Sequence, residues 1–349
     1  MIKTIDVFRQ KLHFRAPFQI AYEKVEEADV VMVKVVTDSG LIGLGNAAPD
    51  SEVTGETVEA VCSILQTVLT PSFFDMPFDS WFSYHKRIQS SFAGFPSAQS
   101  CAEEVVLNLF TQQDRIPLSK FFGGYRTSCP IMMTIGIKDE AAMLEEIKIH
   151  LAEGYTTLKL KVGLDLEQDI HRIKAARAAI PKTCRLILDA NQGYTFHDSV
   201  KLLRALEKTP IDLMEQPTRA KDLTALKELH QLFSIPIIAD ESVISVEDAY
   251  ELLTGDYVTG VNIKLMKCGG PMNFLEIFSL AKRLNKIIMI GCNYESHISM
   301  TMGANLALGL PIDFVDLDSG HLDFSDDPVT GGAQINNGII SVDGWPVLN

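Results

Sequence analysis

The chain has 349 residues, 46% of them hydrophobic, with a formal net charge of -14. That length suits about two domains, or one α/β barrel of roughly 250 residues with a smaller companion. The acidic balance, without any clustered run of Lys and Arg, argues against a nucleic-acid partner.

The first residues, MIKTIDVFRQKLHF, alternate apolar and polar side chains and lack the continuous apolar stretch of a signal peptide. No run reaches transmembrane length, so no membrane partner is expected and the cytoplasm is the expected location. Val30 to Val36, the turn Asp38-Ser39-Gly40 and Leu41 to Leu44 have the pattern of an antiparallel hairpin. Glu56 to Leu69 and Ala98 to Gln113 have helical spacing, which makes residues 1–126 an α+β domain. Phe122-Gly123-Gly124-Tyr125 reads as a hinge, because paired glycines punctuate structure.

From Cys129 onward, short apolar strands alternate with amphipathic helices. The expected strands are Pro130 to Ile137, Thr157 to Val162, Arg185 to Ala190, Asp212 to Glu215, Pro236 to Asp240, Val261 to Leu265, Ile287 to Gly291 and Phe314 to Asp318. Between them lie helical stretches such as Glu140 to Glu153, Glu167 to Ala179, Leu223 to Phe233 and Met272 to Leu284, with lengths suited to parallel crossovers. Eight such strands predict a closed α/β barrel over residues 127–321. The loop-rich tail, 322–349, is expected to return to the first domain. The six cysteines show no disulfide or zinc spacing and read as small core residues, with Cys292 the one near a site-bearing segment.

Residues two apart on a strand share a face, so Lys159 and Lys161 point one way while Leu158 and Leu160 point the other. If the leucines meet the helix layer, both lysines enter the barrel, where buried ammonium groups require compensating anions. A solvated edge strand is the alternative. Parity likewise groups Asp189 with Asn191, Asn262 with Lys264, and Asp316 with Asp318. Asp189, Glu215 and Asp240 stand at matching points of three successive strands. Each alone could end a strand or cap a helix. Together, with no Cys or His nearby, they fit a hard cation with oxygen ligands, Mg²⁺ ahead of Mn²⁺ or Ca²⁺.

These motifs, Lys159-Leu160-Lys161, Asp189-Ala190-Asn191, Glu215-Gln216-Pro217, Asp240-Glu241-Ser242 and Asn262-Ile263-Lys264-Leu265-Met266-Lys267, resemble the muconate-lactonizing-enzyme subgroup of the enolase superfamily. Pro17-Phe18 and Val53-Thr54-Gly55-Glu56 extend the likeness into the first domain. The resemblance implies a modified (β/α)7β TIM barrel with an N-terminal α+β capping domain completed by the C-terminal tail. It implies Mg²⁺ on Asp189, Glu215 and Asp240, and abstraction of a proton α to a carboxylate. Lys159 and the metal would stabilise the enediolate. Lys161 and Lys264 would flank the α-carbon, with one amine kept neutral as the base by the metal and the other ammonium groups. That arrangement implies epimerisation or racemisation, although relatives use the same lysines for β-elimination or cycloisomerisation.

Dipeptide epimerases of the subgroup carry an Asp-x-Asp on the eighth strand that binds the substrate ammonium, and Asp316-Leu317-Asp318 resembles it. The implied substrate is a small dipeptide inverted at its C-terminal residue. Phe18, Ile20, Val53, Asn293 and Tyr294 are expected around it. Glu23 stands where similar L-Ala-D/L-Glu epimerases carry an Arg for the substrate glutamate. With Asp50 and Glu52, that charge reversal predicts Lys or Arg at the inverted position. Asn293-Tyr294 replaces a Met-containing pair, and Asn46 stands where relatives often have Glu. Glu295 is expected to order Lys264 rather than bind metal, and His297 to start a helix rather than act as a base. The rivals are N-acylamino acid racemase, o-succinylbenzoate synthase and muconate cycloisomerase, a Schiff-base aldolase, and a non-catalytic binding protein. Relatives are often multimeric, and a homo-oligomer is left open.

Overall fold

In the computed structural model, which describes residues 1–349, the N-terminal alternation becomes a long antiparallel meander. Strands β1 (Ile2–Gln19), β2 (Lys24–Thr37) and β3 (Ile42–Ala47) lie side by side in that order. A register shift between His13 and Phe18 interrupts the β1–β2 ladder, which then resumes at Phe18 opposite Val25 and Gln19 opposite Lys24. Residues 20–23 are therefore a hairpin tip, closed by the Ile20 amide donating to the Glu23 carbonyl (3.0 Å). Val31, Val33 and Val35 share one face of β2 and bury against α1 (Val58–Val68), α2 (Trp81–Ser91) and α3 (Pro96–Asp114). Helix α2 went unanticipated because it is largely polar and buries only Tyr84, His85 and Ile88.

A short helix α4 (Leu118–Phe121) and strand β4 (Ser128–Pro130) lead into the barrel. Its units are β5 (Met133–Ile135) with α5 (Glu140–Ala152), β6 (Thr157–Lys161) with α6 (Leu166–Ala179), β7 (Arg185–Asp189) with α7 (Phe196–Ala205), and β8 (Leu213–Glu215) with α8 (Leu223–Leu232). They continue as β9 (Ile237–Ala239) with α9 (Val246–Thr254), β10 (Gly260–Lys264) with α10 (Leu265–Cys268) and α11 (Pro271–Arg283), β11 (Ile287–Gly291) with α12 (His297–Gly309), and β12 (Phe314–Asp316). The eight strands β5 to β12 are parallel neighbours in chain order. The Met132 amide, donating to the Val315 carbonyl at 2.9 Å, draws the two ends together. The chain thus has a parallel barrel and a separate antiparallel N-terminal domain.

The first barrel strand is shorter than expected. Residues 128–130 pair instead with the tail, and only 133–135 join the barrel. A continuous apolar run carries no mark of where its pairing partner changes. Helix starts were better marked: Asp139, Asp165, Thr195, Asp222, Ser245 and Ser296 cap α5 to α9 and α12 with their side chains. Such caps contribute about 1 kcal/mol each. Inside the barrel, Met132, Ile187, Leu213, Ile238 and Met289 form an apolar plug. Ile187 and Leu213 lie two residues before Asp189 and Glu215, so the same inward faces turn from apolar to charged one layer higher. No helix is long and apolar enough to cross a membrane.

The tail forms β13 (Val329–Asn336) and β14 (Ile339–Leu348), which join β4 in a three-stranded sheet. Here His297, the first residue of α12, donates from Nε2 to the Ala333 carbonyl (2.8 Å) and stacks on His321 with ring centroids 3.8 Å apart. Burial and His321 push His297 down to about 4. A histidine depressed on folding contributes stability that is complete above the unfolded value near 6.5 and lost as pH falls toward the folded value. Between those limits the expected loss is up to about 3 kcal/mol. Replacing His297→Asn should flatten the acid limb of stability measured by denaturant titration at several pH values. An unchanged slope would contradict this assignment.

Candidate active site

The sequence Thr157-Leu-Lys-Leu-Lys sorts itself by parity on β6. Leu158 and Leu160 bury in the layer between strands and helices, where each contributes roughly 1.5–3 kcal/mol. Lys159 and Lys161 turn inward and are only 2% and 8% exposed, which rules out a solvated edge strand. Lys159 Nζ lies 3.0 Å from Asp189 Oδ2, 2.9 Å from Glu215 Oε2 and 2.6 Å from Asp316 Oδ2. Lys161 Nζ lies 2.7 Å from Asp189 Oδ2 and donates to Asn191 Oδ1 at 2.9 Å. Lys264, at the end of β10, is 3.0 Å from Asp240 Oδ2. Lys267 on α10 donates to both the carboxylate and the backbone carbonyl of Asp240. Burial alone would lower Lys159 and Lys264. Asp189 and Asp316 around Lys159, and Asp240 beside Lys264, instead hold both well above the ordinary lysine range. The protein's own charges therefore do not depress Lys264, so a neutral base depends on what else is bound.

Asp189 and Glu215 end β7 and β8, and Asp240 follows β9. All three are fully buried, and a ligand oxygen from each lies within 4.8 Å of the others. Asn262 Nδ2 donates to Glu215 Oε1 (2.8 Å), and the Asn191 amide donates to Asp189 Oδ1 (2.9 Å). Glu215 Oε2 and Asp240 Oδ2 have no well-aligned hydrogen bond, although a lysine nitrogen stands near each. Burial raises Asp189, but Lys159 and Lys161 hold it down to about 2. Burial and Asp189 push Glu215 up to about 8. Three buried carboxylates, two of them with an unsatisfied oxygen, and no nitrogen or sulfur donor fit a hard divalent cation, and Mg²⁺ suits them.

Family models match both parts of the chain: the mandelate racemase/muconate lactonizing enzyme N-terminal domain over residues 2–123, and the enolase C-terminal domain-like family over 142–346. This chain belongs to the mandelate racemase/muconate lactonizing enzyme family. An L-Ala-D/L-Glu epimerase of Clostridium acetobutylicum is 32% identical, covering 98% of this chain and 97% of its own. An L-Lys-D/L-Arg epimerase of Desulforapulum autotrophicum is also 32% identical, with 99% and 98% covered. The dipeptide epimerase of Methylococcus capsulatus, solved with Mg and L-Arg-D-Lys, superposes with a TM-score of 0.92 at 31% identity over 99% of this chain and 98% of that one.

In this member of the family, one cavity brings together most of the residues the sequence singled out. Phe18, Ile20 and Glu23 reach it from the hairpin tip, Lys159, Lys161, Asn191 and Lys264 from the barrel, and Asn293, Tyr294, Asp316 and Asp318 from its last strands. Gly163, at φ 114°, lets the tip approach: a Cβ there would lie 2.6 Å from the Ala190 carbonyl and 3.1 Å from Ala21 Cβ. Tyr294 donates from its hydroxyl to Glu23 Oε1 at 3.2 Å, and burial together with Asp50 pushes Glu23 upward. Asn191 bonds Lys161 with its oxygen and Glu241 Oε1 with its Nδ2 (3.1 Å).

Three expectations are corrected. Val53 and Glu52 line a neighbouring cavity with Tyr22, Gln192 and Glu241 and not the cavity that holds the lysines. Glu295 accepts from the Asn293 amide (2.8 Å) and makes no hydrogen bond to Lys264, so it orders its own loop. Cys292, taken as a core residue, faces the cavity 3.8 Å from Asp318 Oδ1. Sequence reasoning missed Asp323, Tyr22 and the roles of Lys267 and Glu241. The last two stand inside quoted motifs and had a positional signal, whereas Asp323 lies in an aperiodic turn and had none. Replacing Glu215→Gln removes one charged ligand and should weaken Mg²⁺ binding by about 10–100-fold or more in calorimetric titration. An unchanged affinity would exclude Asp189, Glu215 and Asp240 as the ligand set.

Proposed function

We propose that this protein is a Mg²⁺-dependent dipeptide epimerase that inverts the α-carbon of the C-terminal residue. One observation carries the reading: β6 and β10 stand four places apart in a ring of eight strands, so Lys161 and Lys264 approach one cavity from opposite walls. Held by Asp189, Glu215 and Asp240, Mg²⁺ would supply positive charge to the substrate carboxylate as negative charge spreads onto it. Lys159 adds a fixed ammonium to the same end. One of Lys161 and Lys264, as the free amine, takes the α-proton. The other, as the ammonium, returns a proton to the opposite face. Asn191 fixes the amine of Lys161 through its side-chain oxygen.

Asp316 and Asp318 supply the anionic end for the substrate's α-ammonium, a group that N-acylamino acids, o-succinylbenzoate precursors and muconates lack. Asp316 Oδ1 is buried without a partner, which supports this assignment. The two curated relatives differ in the charge of the residue they act on, so overall similarity does not choose between them. Glu23 and Asp50, both lining the cavity, favour a Lys or Arg side chain at the inverted position. Residues 1–126 act as a cap over the barrel of residues 127–321, and the tail, 322–349, meets the cap at its start while its strands pair with β4 beside the barrel. The Phe14–Phe324 bridge and the Arg15 amide donating to the Asp323 carbonyl (2.7 Å) join cap and tail.

In D₂O the Mg²⁺-loaded protein should place deuterium at the α-carbon of the C-terminal residue of a dipeptide, read by mass spectrometry. Label at no position would reject the epimerase. Lys161→Ala and Lys264→Ala should each lose inversion by about 10³-fold, while each retains exchange with only one stereoisomer. Retention of the same isomer by both variants would contradict the opposed lysines. Glu23→Arg should shift the kcat/KM ratio of Ala-Arg over Ala-Glu by at least about tenfold toward Ala-Glu. A constant ratio would show that Glu23 does not read the side chain.

A further inference from the structure

Resting on the dipeptide reading above, we propose that the subsite for the substrate's N-terminal residue takes a cationic side chain besides the α-ammonium, with Asp323 as its anionic partner. Three carboxylates, not two, line the cavity where the barrel's last strand ends: Asp316, Asp318 and Asp323. Asp323 is set in a braced turn. Its carbonyl accepts from the Arg15 amide (2.7 Å), the following Phe324 amide donates to the Gly320 carbonyl (2.8 Å), and Phe324 itself is buried and bridged to Phe14. The turn therefore holds the Asp323 carboxylate at the cavity wall at the junction of barrel and cap.

The three acids differ in what already satisfies them. Asp316 shares Lys159 through Oδ2 and leaves a buried Oδ1 without a partner. Asp318 accepts from the Thr134 amide at 3.0 Å and from the Cys292 thiol at 3.8 Å, neither of which brings charge. Asp323 forms no ion pair with any lysine, arginine or histidine, and the nearby Ser319 hydroxyl, which donates to the Glu295 carbonyl (3.1 Å), is the one neighbour that favours its charged form. Burial, with Asp316 beside Asp318 and Asp318 beside Asp323, pushes both carboxyls upward; Lys159 and Lys161 oppose this at Asp318, whereas no cation opposes it at Asp323. An α-ammonium carries one positive charge. Asp316 is already paired with Lys159, so one ammonium balances Asp318 and leaves Asp323 over. A Lys, Arg or ornithine side chain at the first position supplies the missing charge and hydrogen-bond donors. The competing account is that Asp318 and Asp323 share a proton and no second cation enters.

The test uses dipeptides that differ only at the first position, L-Lys-L-Arg, L-Ala-L-Arg and L-Glu-L-Arg, with the full-length Mg²⁺-loaded protein and α-deuterium incorporation as the readout. The expected kcat/KM for the Lys-first substrate is at least tenfold above the Ala-first substrate, with the Glu-first substrate slowest. Asp323→Asn should bring the Lys-to-Ala ratio toward one, through KM rather than kcat. Equal kcat/KM for Lys-first and Ala-first substrates on the unaltered protein overturns the inference, as does an Asp323→Asn variant that keeps the full ratio. If the variant does not fold, the unaltered protein's ranking decides alone. Exchange with no dipeptide at all overturns the epimerase reading and this inference together, whereas exchange without first-position preference overturns the inference only.

Discussion

Three carboxylates and four lysines share one water-poor layer at the mouth of the barrel, and neither set is tenable there alone. Asp189, Glu215 and Asp240 are fully buried, and Lys159 and Lys267 are nearly so. Removing one member of such a group leaves an uncompensated buried charge, which costs several kcal/mol. The pairing therefore constrains the register of β6 to β10: a slip of one residue would send the lysines of β6 to the helix layer and Leu158 and Leu160 into the charges. Catalytic geometry and fold are fixed by the same requirement. The charges that hold the lysines in place are also those that a metal would engage, so metal binding and lysine protonation are linked.

The cap is joined to the barrel through a second polar layer. Glu104 on α3 accepts from the Asn46 amide (2.9 Å) and from Ser299 Oγ (3.0 Å), while Asn46 Oδ1 accepts from the Ser296 amide (3.0 Å). Burial pushes Glu104 well up. A glutamate in place of Asn46 would add a second acid to this enclosed network, whereas the asparagine amide both donates and accepts within it. The cap is thereby docked where α12 begins. The hairpin tip at 20–23 lines the cavity apart from this polar layer.

How much was legible in the sequence follows from what each signal measures. Parity on a strand is a strict geometric rule, so Lys159, Lys161, Asp189 and Lys264 were placed correctly from their spacing alone. The eight barrel strands were found because short apolar runs recur between helices with marked caps. The length of β1 was not, since its pairing with β2 crosses a bulge that sequence alternation does not record. Helix α2 buries Tyr84, His85 and Ile88 at helical spacing, but its remaining residues are mostly polar and no side chain caps its start. Glu295, Val53 and Asp323 show the other limit: their partners are set by turns, and turn geometry brings together residues with no periodic relation. Glu295 turned to its own loop, Val53 to a neighbouring cavity, and Asp323, far along the chain from the Arg15 amide that holds its carbonyl, reached the site through the Phe14–Phe324 junction.

The account depends on two amines meeting one carbon from opposite sides. The most direct measurement is a crystal structure of the protein with Mg²⁺ and a bound dipeptide, in which the distances from Lys161 Nζ and Lys264 Nζ to the C-terminal residue's α-carbon are read. The account predicts both nitrogens at about 3–3.5 Å, one on each face of that carbon. Both nitrogens on the same face, or either one still held on its carboxylate and out of reach, would contradict it.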